Sequence, residues 1–258
     1  MSTDNFDKYK EDIVWSYSTR HGGVSSGKYA SMNLSFSTGD DPEKVRENYR
    51  LWGEALGVDT SQMVLLKQTH TANVLAVDHS FCGEGLYRPA RSDFDGMVTD
   101  EKGVALVTSH ADCTPVYIYD PVSHAIAMVH AGWKGTVGEI PAHAIELMKE
   151  KYGSRPEDII AMIGPCISQK RFQCDRDVVD RVDQMSIDGS DQYYFDEAEG
   201  KFHVSLAGLN RKVLVSAGIP VENIDMNDAC TYDNDELYFS HRRMGKERGG
   251  QAALLMMK

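Results

Sequence analysis

Apolar residues along this chain gather into short unbroken runs separated by amphipathic stretches. Residues 103–109 (GVALVTS), 116–119 and 125–130 (AIAMVH) are continuous apolar segments, about as long as strands buried on both faces. Lying close together in sequence, they predict a central sheet. Shorter strand-like runs occupy 13–18, 64–67, 73–77 and 159–163, and residues 237–239 and 252–257 read as closing strands.

Helical spacing appears between them. Val45, Tyr49 and Trp52 share one face of a helix predicted over Pro42–Leu56, with Asp41 as N-cap, Pro42 in the first turn and Gly57 at the end. After residue 130, the glycines of 135–138 predict a turn into a second helix that carries Ile140, Ala144, Leu147 and Met148 and closes at Gly153. Residues 175–184 and 206–217 complete the helices. With no internal repeat, low-complexity tract or long linker, the pattern predicts one domain over 1–258, mixed α and β in layers.

Composition narrows the function. An apolar fraction of 41% and a charged fraction of 26% in 258 residues suit a chain with a sizeable core. The net charge of −12 argues against a general affinity for nucleic acid or anionic membrane, since both depend on Lys and Arg neutralising phosphates. A local basic pocket can still receive an anionic substrate. The opening MSTDNFDKYKEDIVW has no apolar stretch of the leader type, and no run approaches the ~20 residues of a membrane span, so a cytoplasmic protein is expected. The cysteines, Cys82, Cys113, Cys166, Cys174 and Cys230, are odd in number and form no CxxC pair, which predicts free thiols rather than a disulfide scaffold or zinc ribbon.

Three segments place a metal-capable residue at the end of an apolar strand: KQTH (67–70), HADCTP (110–115) and VHAGWKG (129–135). His70, Cys113 and His130 offer two imidazoles and a thiolate, a set that suits zinc and leaves a fourth, catalytic position open. Taken singly, each is as ordinary as a hydrogen-bonded histidine or a buried cysteine. Their wide separation in sequence leaves it to the fold to bring them together.

The stretches TRHGGVS (19–25), NLSFSTGDDPEKVRENYR (33–50), QTH (68–70), DFDGMVTD (93–100), ADCTPVYIYDP (111–121), HAGWKGTV (130–137), IGPCIS (163–168), CT (230–231) and FSHRR (239–243) resemble, in order, the YfiH/YlmD family. This is the laccase-like, multi-copper polyphenol oxidase family, reinterpreted as purine nucleoside phosphorylases and also labelled peptidoglycan editing factor. The resemblance implies an α+β fold, a layered α/β/β/α arrangement of mixed sheets. It also implies a zinc held by the histidine of Q-x-H, the cysteine of ADC and the histidine of HAGW, which here are His70, Cys113 and His130. Where the family usually reads ADALVT this chain has DFDGMVT, and ERGGQAAL replaces a T-G-R step before the last strand, with Arg248 nearby.

The activities so implied are phosphorolysis of adenosine, inosine and methylthioadenosine, and deamination of adenosine. A His/His/Cys zinc accounts for deamination with Asp95 or Asp112 as acid/base, and replacing either should then lower turnover without loss of metal. Asp112 is alternatively the group that orients a ligand histidine. Phosphate needs cations and backbone donors: Arg46, Arg50, Lys134, Arg243 with its neighbour Arg242, and the glycines 22, 23 and 132 are the candidates. Trp133 either stacks on the purine or packs in the core, and His110 and His124 read as structural. Purine nucleoside and phosphate are thus the expected partners of a monomer or small homo-oligomer. Competing readings are a hydrolase for peptidoglycan precursor editing, with Cys113 as nucleophile, His130 or His70 as base and Asp112 as orienter, and a copper phenol oxidase. Nine histidines without a His-x-His pair fit the copper reading poorly. A non-catalytic, metal-dependent partner in cell-wall precursor metabolism is the alternative outside enzymes.

Overall fold

The computed structural model describes residues 4–258; the first three residues of the polar opening segment, and of the domain expected over 1–258, lie outside them. The strands are β1 (Ile13–Tyr17), β2 (Met63–Leu65), β3 (Val74–Ala76), β4 (Gly96–Thr99), β5 (Ala105–His110), β6 (Thr114–Asp120), β7 (Ala125–Ala131), β8 (Ile160–Ile163), β9 (Gln173–Cys174), β10 (Tyr193–Asp196), β11 (Lys201–Val204), β12 (Ile224–Met226) and β13 (Gln251–Met257). The helices are α1 (Asp4–Asp7), α2 (Pro42–Leu56), α3 (Trp133–Val137), α4 (Ile140–Tyr152), α5 (Arg176–Val182), α6 (Leu206–Ser216) and α7 (His241–Met244).

Two mixed sheets face one another, one in the order β1-β13-β5-β2 and one in the order β12-β8-β6-β7-β4-β3. Strand alternation explains why both central sheets read as unbroken apolar runs. Leu106 of β5 and Leu255 of β13 point inward to meet Tyr117 and Tyr119 of β6 and Met128 of β7 across the sheet interface. Their neighbours Val107 and Leu254 point outward, onto Val45, Tyr49 and Trp52 of α2. On the far side, Val116, Ile118, Ala127 and Val129 cover Ile140, Ala144 and Met148 of α4. A strand with helix on one face and sheet on the other has no polar face to show. The outcome is α/β/β/α, as the family resemblance implied. A smaller sheet, β10-β11-β9, closes its own core with α5 and Leu206 and Leu209 of α6.

Local signals held where they were strong. Asp41 caps α2 by accepting from the Glu43 N–H at 3.0 Å, and Gly57 ends it in the left-handed region at φ 70°. Two expectations fail. Residues 237–239 form no strand, because Leu237 and Tyr238 donate to the Asn234 carbonyl in a turn and the Phe239 N–H goes to the Gln251 side chain, not to a ladder. The glycine turn at 135–138 is the short helix α3, ended at Gly138. Among the described residues no helix is long and apolar enough to cross a membrane.

Leu106 is fully buried between the sheets, so Leu106→Ala should destabilise the protein by about 2–5 kcal/mol. A shift of the urea midpoint at unchanged slope is the expected result.

Candidate metal centre

Sheet register assembles the centre. In the β6–β7 hairpin, Thr114 pairs with Ala131 and Pro115 with His130, so Cys113, one step before β6, arrives beside the end of β7. β4 pairs antiparallel with β7 and parallel with β3, which puts Asp95, just before β4, against His130 and below the loop that carries His70. Gln68 anchors that loop to β5: its side chain accepts from the Ser109 N–H at 2.7 Å and donates to the Ser109 carbonyl at 2.9 Å, in the manner of a strand partner.

Asp95 organises the group. It is fully buried, and its Oδ2 accepts from the backbone N–H of Thr69 (3.2 Å) and of Thr71 (2.7 Å) and from the Thr71 hydroxyl (2.9 Å). Oδ1 accepts from the His70 N–H (3.1 Å) and pairs with His130 Nδ1 (2.8 Å). The bond to Nδ1 leaves Nε2 as the His130 nitrogen available toward Cys113. Holding three successive amides on one carboxylate bends the loop, and His70 sits at φ 62°, uncommon for a residue with a side chain.

The ligand atoms of His70, Cys113 and His130 all lie within 4.8 Å of one another, with His70 Nε2 3.7 Å from Cys113 Sγ. Burial alone would push the Cys113 thiol up, but the His130 and His70 imidazoles outweigh it and bring the thiol down to about 6, so the thiolate prevails at neutral pH. For His130 burial disfavours charge, yet the thiolate and the Asp95 bond raise it to about 9. Asp95 is likewise raised by burial and lowered more by His130 and the Thr71 donors, to about 2. Gly132 keeps the space clear: a Cβ there would lie 2.7 Å from the His70 ring and 3.2 Å from Cys113 Sγ. Converging imidazole and thiolate donors, one imidazole held by a carboxylate, and a backbone kept bare beside them fit a zinc-type ion.

The family described as multi-copper polyphenol oxidoreductase laccase matches residues 14–258. The chain belongs to this family. Its relatives include the purine nucleoside phosphorylase of Bacteroides thetaiotaomicron, 34% identical over 233 residues that cover 90% of this chain and 86% of that protein. Adenosine deaminase RL5, from an unknown prokaryotic organism, is 33% identical over 92% of this chain and 91% of its own length. The crystal structure of YfiH from Bacillus licheniformis matches with a TM-score of 0.94 at 31% identity, over 98% of this chain and 95% of that one. The YfiH/YlmD resemblance and the layered fold are borne out.

Within the family fold the other sequence candidates divide sharply. Asp95 does not reach the cavity as an acid/base, because all five of its hydrogen bonds go to the His70 loop and His130. The orienting role weighed for Asp112 therefore belongs to Asp95. Asp112, at φ 88°, does line the cavity, and its carboxylate accepts from the Thr231 hydroxyl and the Arg242 N–H, each at 2.7 Å. Trp133 lines the cavity too and also packs on the smaller core.

Four proposed phosphate contacts lie elsewhere. Arg46 pairs with Glu43 and donates to the Leu86 carbonyl, and Arg50 pairs with Glu47 and Glu54 along the exposed face of α2. Lys134 lies over the Trp133 ring outside the cavity lining, and Arg243 clamps the carbonyls of Thr231, Tyr232 and Tyr238. Helical periodicity cannot tell a charge facing a ligand from one facing an i,i+4 partner. His110, read from sequence as structural, is held between Thr108 Oγ1 at 2.7 Å and the Cys113 carbonyl at 3.1 Å, and it also lines the cavity. Arg248 and His241 also line the cavity: the ERGGQAAL departure had brought Arg248 into view without a role, and His241 lay in the FSHRR motif.

Asp95→Asn should weaken zinc affinity about 10–100-fold, measured by chelator competition, in contrast to the sequence expectation of lost turnover with metal kept. Gly132→Ala should also lose zinc at preserved secondary structure, read by elemental analysis and circular dichroism.

Proposed function

We propose that the chain is a zinc-dependent purine nucleoside enzyme that cleaves adenosine, inosine and methylthioadenosine with phosphate to free base and pentose 1-phosphate, and deaminates adenosine to inosine. The observation that carries this reading is the His70, Cys113 and His130 set opening into a cavity of about 910 Å³, large enough for a nucleoside and a second reactant. The names of the relatives, purine nucleoside phosphorylase and adenosine deaminase, support the same substrate class.

His70, Cys113 and His130 would hold the zinc, which would supply Lewis acidity. The protein supplies the rest. Trp133 and Phe172 give the cavity aromatic surface on which a purine can stack. Asp112 is the carboxyl at the cavity wall next to Cys113 and is assigned the proton transfers to and from the base. Asp95 acts through His130 and the 69–71 loop, holding the ligands in place.

One observation favours a second reading, a Cys–His hydrolase acting on peptidoglycan precursors: Cys113, His130 and Asp95 follow one another in the order of a nucleophile, base and orienting carboxylate. His70 weighs against it, because a second imidazole 3.7 Å from the thiolate has a place in a metal site and none in such a triad. The copper oxidase named in the family description calls for several histidine-rich centres. The other metal-capable group among the described residues, Asp196, Glu199 and His203, has a single histidine.

Purified protein incubated with adenosine and phosphate should yield inosine, adenine and ribose 1-phosphate, with about one zinc per chain by elemental analysis, and Cys113→Ala should abolish both zinc and turnover. Absence of any purine product, together with covalent labelling of Cys113 in metal-free protein, would replace this reading with the hydrolase.

A further inference from the structure

The chain crosses from one central sheet to the other beside the metal centre, and a side chain ties the crossing. We propose that His110 is a positioning residue of the centre, which sets the Cys113 thiolate among the two ligand imidazoles by holding the Cys113 carbonyl; this inference rests on the zinc reading above.

β5 ends at His110, which pairs with Gln251 in the first sheet, and β6 begins at Thr114, which pairs with Ala131 in the second. Residues 111–113 span the gap. Asp112 turns the chain at φ 88°, anchored through its carboxylate by the Thr231 hydroxyl and the Arg242 N–H and through its carbonyl by the Ile167 N–H. Cys113 is held by a side chain instead: its carbonyl is met by His110 Nδ1 at 3.1 Å. A carbonyl only accepts, so Nδ1 carries a proton and donates it. Nε2 is taken up by the Thr108 hydroxyl at 2.7 Å, and both residues are buried. With its two nitrogens spent inside the fold, His110 stays out of the ligand set although it lines the same cavity.

The same ring packs on the centre. Its centroid lies 5.1 Å from that of His130, which has the His70 ring at 5.0 Å, and Tyr17 backs it at 5.9 Å. One side chain thus touches the backbone of one ligand and the ring of another. Fixing the peptide that follows Cys113 fixes the direction in which its Cα–Cβ bond leaves the chain, and so where Sγ falls. Without that bond the crossing keeps its Asp112 anchors, but nothing aims Sγ at its place 3.7 Å from His70 Nε2. Hydrogen-bonding partners outside the ligand set are what hold ligands within the narrow tolerance of a tetrahedral ion.

Removing the donor while keeping a ring separates this role from packing. In the full chain, His110→Phe should weaken zinc binding about 10–100-fold by chelator competition, and its cobalt-substituted form should lose intensity in the thiolate-to-metal charge-transfer band. His110→Asn, whose amide can offer an N–H close to that of Nδ1, should restore both. Alkylation of Cys113 by iodoacetamide in metal-free protein, followed on its own peptide by mass spectrometry, should slow in His110→Phe and recover in His110→Asn. Wild-type zinc affinity with an unchanged cobalt spectrum in folded His110→Phe would overturn the proposal. Equal losses in the two variants, tracking their Tm, would overturn it too, because packing alone would then explain them. If His110→Phe does not fold, nitrogen NMR of the wild-type chain decides: a proton on His110 Nδ1 supports the hold on the Cys113 carbonyl, and a bare Nδ1 overturns it. A wild-type chain that binds no zinc but shows the expected alkylation pattern would sink the metal reading alone and leave the hold of His110 on Cys113 standing.

Discussion

The Asp95 carboxylate accepts from three successive backbone amides, one hydroxyl and one imidazole while fully buried. A lone buried carboxylate would cost several kcal/mol, and this one is stabilised only because each of its lone pairs meets a donor. The same bonds do two jobs at once. They force the 69–71 loop into the shape that presents His70, and they fix which nitrogen of His130 is free. The placement of His70 and His130 is therefore a consequence of satisfying one buried charge.

That charge is held in place by the sheets. β4, β6 and β7 are bonded in register along their length, and their packed side chains leave little freedom for the strand ends to shift. Asp95, Cys113 and His130 come from the ends of three neighbouring strands, so their separation is set by strand spacing and not by flexible loops. Only His70 comes from a loop. Gln68 and Asp95 tie that loop to the same frame from two sides.

The cavity divides its chemistry by neighbourhood. The Cys113 thiolate lies at the His/Cys set, while Asp112, Asp175, Asp177, Arg242 and Arg248 line the rest of the cavity. Apolar surface from Phe172, Ile167 and Leu206, which belong to the core of the smaller sheet, also lines it. Imidazole and thiolate donors, guanidinium groups and apolar surface therefore line one enclosure.

Much of this was legible in the sequence. Continuous apolar runs marked the buried strands of both sheets, capping chemistry marked α2, and residue type alone singled out two imidazoles and a thiolate at strand ends. These are properties of a residue and its near neighbours, and local periodicity reports them. Whether an acid orients or transfers protons, and whether an arginine faces a ligand or a glutamate, depends on partners far away in the chain. Asp95 meets His130 across 35 residues, and Asp112 meets Arg242 across 130. No spacing rule reaches that far; such pairs are decided by sheet register, and so the centre's residues could be listed from the sequence while their roles waited for the tertiary structure.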